Sequence, residues 1–171
     1  MNYRVRQFFW GLMAKLSKED VALVNRYLDE QESKLFFKLP RNEQVHSIKV
    51  AKEVIQESKK FQRNNSEDKK HENIDMCLIK AAFLHDIGKI NSGLNIITKS
   101  ILVIMDKISP KLLMKLTRIR FVNTYYNHPE IAIGYLPEAD DKVKYYIRNH
   151  HNYALNSDEK LKIIQKSDSK N

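Results

Sequence analysis

The stretch "AAFLHDIGKI", residues 81–90, ends an apolar run in His85-Asp86, two polar residues where core is expected. Upstream, Ile74, Leu78, Ala81 and Ala82 recur at helical spacing, and His85 continues that stripe. An imidazole and a carboxylate facing a core need partners, because a lone buried charge is expensive. The pair is therefore a buried hydrogen-bonded couple or part of a metal site, and the rest of the chain has to decide between them.

At 171 residues the chain is within the range of one domain, and with only four glycines and four prolines it does not suit a turn-dense all-β fold. Cys77, the one cysteine, permits no internal disulfide, fits a reducing cytoplasm and is expected to be a small buried hydrophobe. The apolar run "FFWGLMA" near the N-terminus is far short of the ~20 residues of a spanning helix and is expected to pack on the domain. The net charge of +9 suggests acidic partners, whether nucleic acid, anionic lipid or phosphorylated small molecules. Lysines are spread along the whole chain, and neither sheet-type RNA-binding signatures nor zinc-finger spacing occurs, which argues against nucleic acid. The densest basic stretch is 99–120, with Lys99, Lys107, Lys111, Lys115, Arg118 and Arg120 against Asp106, a solvated face or a phosphate-attracting rim.

The apolar spacing is helical nearly everywhere, which predicts an all-α bundle in one domain. Helices are expected over 3–16, then from a Ser17 cap to about Glu30, with Val21, Val24 and Leu28 inward. Asn42 is a candidate cap for a long helix to about Phe61, with Val45, Ile48, Ala51 and Ile55 as its main stripe and His46, Val50 and Val54 beside it. Residues 62–73 read as an exposed loop, and Ile74–Asp86 as the next helix. "INSGLNIITKS" breaks the pattern, "ILVIMDKI" is a short helix or a strand, and Ser109-Pro110 opens a helix over 110–120. Further helices are predicted through His128 to Leu136, from Asp140 or Asp141 towards His150-His151, and from an Asn156 cap to about Ser169.

Five of the six histidines, His46, His85, His128, His150 and His151, fall at or near these helices, while His71 lies in the polar loop. Histidine with carboxylate suits divalent ions such as zinc, iron or manganese, and the lack of clustered cysteine argues against a structural zinc knot. The candidates are far apart in the chain and converge only if their helices pack side by side, as bundle cores allow. On the last helix Leu161, Ile164 and Asp168 share one face, so Asp168 is expected to point towards the core.

His46, then His85-Asp86 within "FLHDIGK", then a distant Asp168 resembles the HD-domain superfamily of metal-dependent phosphohydrolases. "NHPEIAIGYL" at 127–136 is similar to the "HPxxGxxIL" element of its two-metal members, and "YIRNHHN" at 146–152 to their following histidine motif. The resemblance covers about residues 42–170, an HD-like core, and leaves 1–41 as an N-terminal helical extension. It implies one or two divalent ions, of iron, manganese, zinc, cobalt, nickel or magnesium. It also implies that His46, His85, Asp86 and Asp168 hold the first ion, with Asp86 bridging to a second. His128 and His150 would hold that second ion, with His151 as a further candidate. Adjacent histidines on a helix diverge by ~100°, so one would serve metal and the other substrate, and the "IRNH" register favours His150 as the ligand. Gly88 is expected to permit a turn or a close helix contact. Lys89 is either a helix-end lysine or a group meeting a phosphate oxygen.

By the resemblance, the activity is hydrolysis of a phosphoester or phosphoanhydride in a nucleotide-like substrate by metal-activated water, with Asp86 and Lys89 in catalytic roles. The alternative is an HD-fold module that binds metal and nucleotide for regulation with little turnover. The chain lacks the "GYP" segment of the branch that cleaves cyclic di-GMP and carries Asn42 where some of that branch place a glutamate. Its compact ending looks nearer to the branch hydrolysing diadenosine tetraphosphate.

Overall fold

The computed structural model describes residues 15–65, 75–92, 96–155 and 157–171, and among them it is all-helical, with nine α-helices and no strand. In chain order the helices are α1 Lys18–Tyr27, α2 Glu30–Phe36, α3 Arg41–Asn65, α4 Met76–Leu84, α5 Ile96–Ile108, α6 Pro110–Lys115, α7 Arg120–Gly134, α8 Asp141–Asn149 and α9 Glu159–Lys170. A single 3-10 turn, Ile87–Lys89, follows α4. The helix expected over 3–16 lies almost wholly outside the described residues.

Local chemistry explains where the helices begin and end. Ser17 opens α1 with a reciprocal capping box, accepting the Asp20 N–H at 3.1 Å while the Asp20 carboxylate accepts the Ser17 N–H at 3.0 Å. The helix expected to about Glu30 ends at Tyr27, and a separate helix follows it. Leu28 turns extended, and Asp29 starts α2 with a second box to Glu32, both bonds 2.9 Å. Asn42 is not the cap of α3: the Pro40 carbonyl accepts from Glu43 and Gln44, and Asn42 lies inside the first turn. The helix continues to Asn65, into the stretch expected to be a loop, and the remainder, including His71, lies outside the described residues. The α3 stripe is also rotated: Ile48, Val50, Ala51 and Val54 are buried, while Val45 and Ile55 are only half-buried.

Helix α4 is the middle of the molecule. Leu78, Ile79, Ala81, Ala82, Phe83 and Leu84 are all buried, as expected of a helix that is hydrophobic on every side. It packs against α1, α2, α3, α8 and α9. Val24, Leu28, Phe36 and Leu39 join the same core, with Phe36 edge-on to Phe83 at 6.0 Å, so α1 and α2 are built into the bundle. Cys77, expected to be buried, is only half-buried on α4. A satellite core of Leu102, Leu113 and Val122 joins α5, α6 and α7.

The remaining differences concern boundaries. α4 stops at Leu84, two residues before the predicted end, which places His85 and Asp86 in a turn. The "INSGLNIITKS" stretch already contains the start of α5, and α6 ends at Lys115 rather than near 120. Asp158, not Asn156, caps α9 by accepting the N–H groups of Lys160 and Leu161, and Asn156 itself lies outside the described residues. At Gly88 the turn after Asp86 lies directly against the backbone of α7. A Cβ there would lie 2.0 Å from the His128 carbonyl oxygen, so only glycine lets the turn after Asp86 touch α7.

Candidate metal centre

Five elements deliver seven side chains to one place. His46 comes from α3, His85 and Asp86 from the turn after α4, His128 from α7, His150 and His151 from the end of α8, and Asp168 from α9. Three overlapping groups, His46/His85/Asp86, His85/His150/Asp168 and His128/His150/His151, each bring their donor atoms within 4.8 Å of one another. All seven candidates read from the sequence are in these groups, and such buried His/Asp clusters could hold a metal ion.

Asp86 sits between two halves of the cluster. Its Oδ2 lies 3.4 Å from His85 Nε2 and 3.8 Å from His46 Nε2, while its Oδ1 lies 3.4 Å from His128 Nε2. Asp168 Oδ1 bonds His46 Nε2 at 2.9 Å and stands 3.5 Å from His85 Nε2, and its Oδ2 is 3.6 Å from His151 Nδ1. His85 Nε2 and Asp86 Oδ2 are buried and make no hydrogen bond among the described residues.

The rings are aimed by the breaks in their own helices. His85 donates Nδ1–H to the Ala82 carbonyl at 2.9 Å and His150 donates to Ile147 at 2.6 Å, both using last-turn carbonyls that a helix end leaves short of partners. His128 donates to Tyr125 at 3.2 Å, and there the cause is Pro129, which has no N–H to give the carbonyl four residues back. Each ring thereby turns an unprotonated Nε2 into the cluster, the arrangement that prepares an imidazole to ligate. His128 Nε2 and His150 Nε2 face each other at 3.3 Å.

His150 and His151 do not diverge as two residues on a continuous helix would. α8 ends at Asn149, and the following turn brings both rings into the cluster with centroids 3.9 Å apart. His150 is buried, and His151, at the rim, is half exposed. His151 and partly exposed His46 mark the side from which solvent reaches the cluster.

Except at His85, the charges are consistent with ligands in their deprotonated forms. Burial, then the Lys89 ammonium, pushes His128 down to about 3, and burial with the neighbouring histidines pushes His150 well below its ordinary value. Burial also lowers His151. Burial opposes the charge on Asp86, but Lys89, His85 and His128 outweigh it and hold the carboxyl well below the usual range. Asp168 is likewise held low against its burial by His46 and His85. His85 goes the other way: burial resists its charge, and Asp86 and Asp168 raise it nonetheless.

Lys89 is neither a solvated helix-end lysine nor open to solvent. Its ammonium is buried, 2.5 Å from Asp86 Oδ1 and 3.6 Å from Glu43 Oε2, and the two carboxylates raise its pKa over the cost of burial. Glu43 is a participant that sequence reasoning missed, although it lies one turn before His46 on the same helix face. Gln165 is another. Its buried amide donates to the Asn149 and Asn152 carbonyls at 3.1 and 3.0 Å, fixing the turn that carries His150 and His151, and its position three residues before Asp168 was the available signal.

Compared with protein-family models, curated proteins and solved structures, the chain matches none. No helix among the described residues is long and apolar enough to cross a membrane.

Proposed function

We propose that the chain is a metal-dependent phosphohydrolase of the HD type, acting on a phosphoester or phosphoanhydride of a nucleotide-like substrate. The observation that carries this reading is the convergence of imidazole Nε2 atoms, each oriented through its Nδ1–H, around the two-sided carboxylate of Asp86. Seven oriented N/O donors without clustered thiolates suit one or two borderline or hard divalent ions.

His46, His85, Asp86 and Asp168 would hold one ion, and His128, His150 and His151 a second, with the two Asp86 oxygens reaching both groups. When bound, such ions lower the pKa of water and neutralise charge developing on a phosphoryl oxygen. The chain's own groups do the rest. Lys89 offsets the negative charge of Asp86 from the protein side and, held by Glu43, positions that carboxylate instead of gripping the substrate. Asp168 Oδ1, 2.9 Å from His46 Nε2, keeps that ring turned inward, and an ion held by both groups would replace the proton they share. His151, half exposed at the rim with Nδ1 beside Asp168 Oδ2, is placed to hand a proton to the leaving oxygen if it is not itself a ligand.

The test is hydrolysis of a panel of nucleoside phosphates, dinucleoside polyphosphates and cyclic dinucleotides by protein loaded in turn with manganese, iron, cobalt, nickel, zinc and magnesium. Turnover of at least one substrate, lost in Asp86→Asn, is the expected result. Stoichiometric metal without turnover of any phosphate would overturn the enzymatic reading in favour of a metal- and nucleotide-binding regulatory module.

A further inference from the structure

The stretch from Asp86 to Glu130 is unlike the rest of the chain: between those two acids the sole carboxylate is Asp106, against Lys89, Lys99, Lys107, Lys111, Lys115, Arg118 and Arg120. The fold then turns that carboxylate partly inwards. Leu102 is the buried anchor of α5, and Asp106, one turn on, faces the same way and accepts a hydrogen bond from the Tyr126 hydroxyl of α7. What α5 presents outwards is Ile104, Lys107 and Ile108, at i, i+3 and i+4, with the two isoleucines 57% and 78% exposed.

Helix α6 repeats the arrangement. Leu113 is buried at 1% exposure, so Lys111 and Lys115, two residues either side, lie on the opposite face. Leu112 and Met114 flank them at 56% and 58% exposure, and Leu116 and Ile119 prolong the exposed apolar surface towards Arg118 and Arg120. Most of the large exposed aliphatic side chains of the described residues fall between 104 and 119. Scattered exposed hydrophobes need no explanation, but a set concentrated between 104 and 119, interleaved with cations and with its one carboxylate turned towards Tyr126, does.

We propose that this outward face of α5, α6 and residues 116–120 docks on an anionic lipid bilayer surface. Aliphatic side chains between lysines are the composition of an interfacial segment: Ile104, Ile108, Leu112 and Met114 enter the headgroup–acyl boundary while Lys107, Lys111, Lys115, Arg118 and Arg120 meet lipid phosphates. A nucleic-acid backbone would satisfy the cations but gain nothing from exposed isoleucine, leucine and methionine. A two-fold contact of the face with a second copy would oppose lysine to lysine. The proposal is independent of the hydrolase reading, because no residue in it belongs to the metal cluster.

The experiment is flotation of the full chain with phosphatidylcholine vesicles, with and without phosphatidylglycerol, at low and high salt. Two variants accompany it, Lys107→Glu/Lys111→Glu/Lys115→Glu and Ile108→Ser/Leu112→Ser/Met114→Ser, whose substituted residues are all exposed and whose helicity is checked by circular dichroism. Expected are binding to the phosphatidylglycerol vesicles only, weakening by about tenfold or more in each variant, and loss of binding at high salt. Asp86→Asn should bind vesicles like the unsubstituted chain. Failure of the unsubstituted chain to bind anionic vesicles at low salt would overturn the proposal, as would binding by both variants as strong as that of the unsubstituted chain. A concentration-dependent dimer, measured by light scattering and dispersed by the serine variant, would assign the face to a second copy instead.

Discussion

His128 and His150 point their Nε2 atoms at each other across 3.3 Å, although each ring has committed its Nδ1–H to a backbone carbonyl. Two lone pairs directed at one another repel, and a shared proton or cation between or beside them removes the conflict. Both rings resist protonation in their buried positions, so the pair could hold a metal ion. His128→Ala and His150→Ala should each weaken divalent-ion binding by about a hundredfold or more, since loss of even an outer partner commonly costs 10–100-fold. Calorimetric titration measures this directly. In the unsubstituted chain a metal at about a hundred times its Kd should add about 2.7 kcal/mol, raising Tm by about 5–10 °C.

Gly88 and Gly134 should respond oppositely to alanine. A Cβ at Gly88 would lie 2.0 Å from the His128 carbonyl oxygen and 3.0 Å from the Ala132 nitrogen, both backbone atoms that cannot step aside. Gly88→Ala therefore pushes α7 off the turn, costs about 3 kcal/mol or more and displaces His128 from the cluster. At Gly134 nothing lies within 4 Å, so Gly134→Ala is neutral or stabilising by up to about 1 kcal/mol. Urea unfolding of the two variants gives the comparison.

Gln165 holds the turn that carries His150 and His151 without touching the metal ligands' donor atoms. Gln165→Leu removes two amide donors and leaves the Asn149 and Asn152 carbonyls without them. A loss of about 1–3 kcal/mol in stability is expected, together with a 10–100-fold loss in metal affinity. Gln165→Asn, which keeps an amide but is one carbon too short, should recover little of either.

The helical class was legible as apolar stripes at 3.6 spacing, and His85 and Asp168 stood out as polar residues set on those stripes, whereas the full set of seven was singled out by the motif resemblance and not by periodicity. Sequence reasoning lost the local boundaries. Asp29 and Glu32 form a capping box at the end of what looked like one helix, because their spacing is as compatible with a helical surface as with a start. The turn after Asn149 was also hidden, and with it the convergence of His150 and His151, since its hydrogen bonds come from Gln165, sixteen residues away from Asn149. The inward pairing of Lys89 depends on Glu43 in another helix, a relation that no local pattern encodes.

Asp75 is a separate electrostatic joint. It caps α4 through the Leu78 N–H and accepts from Lys142 and Lys160 at 2.9 and 2.8 Å, tying α4 to α8 and α9. Burial raises its pKa, but the two lysines and the N–H outweigh burial and hold the carboxyl below its ordinary value. The folded state therefore binds this proton less readily than the unfolded chain, so the stabilisation is full above about pH 5 and is lost as pH falls below about 4. Asp75→Ala should cost about 1–2 kcal/mol at pH 7, the lysines being too exposed to add much to the cap. The difference from the unsubstituted chain, followed by thermal unfolding, should shrink steadily in acid.

The most direct measurement is the number of divalent ions retained per chain after equilibrium dialysis, by elemental analysis, for the unsubstituted protein and for Asp86→Ala. Asp86 is the carboxylate that stands 3.4 Å from both His85 Nε2 and His128 Nε2, so its loss should disable both halves of the cluster. The account predicts one or two ions on the unsubstituted chain and none held stoichiometrically by Asp86→Ala. Finding no stoichiometric metal on the unsubstituted chain, or the same content in both proteins, would contradict it.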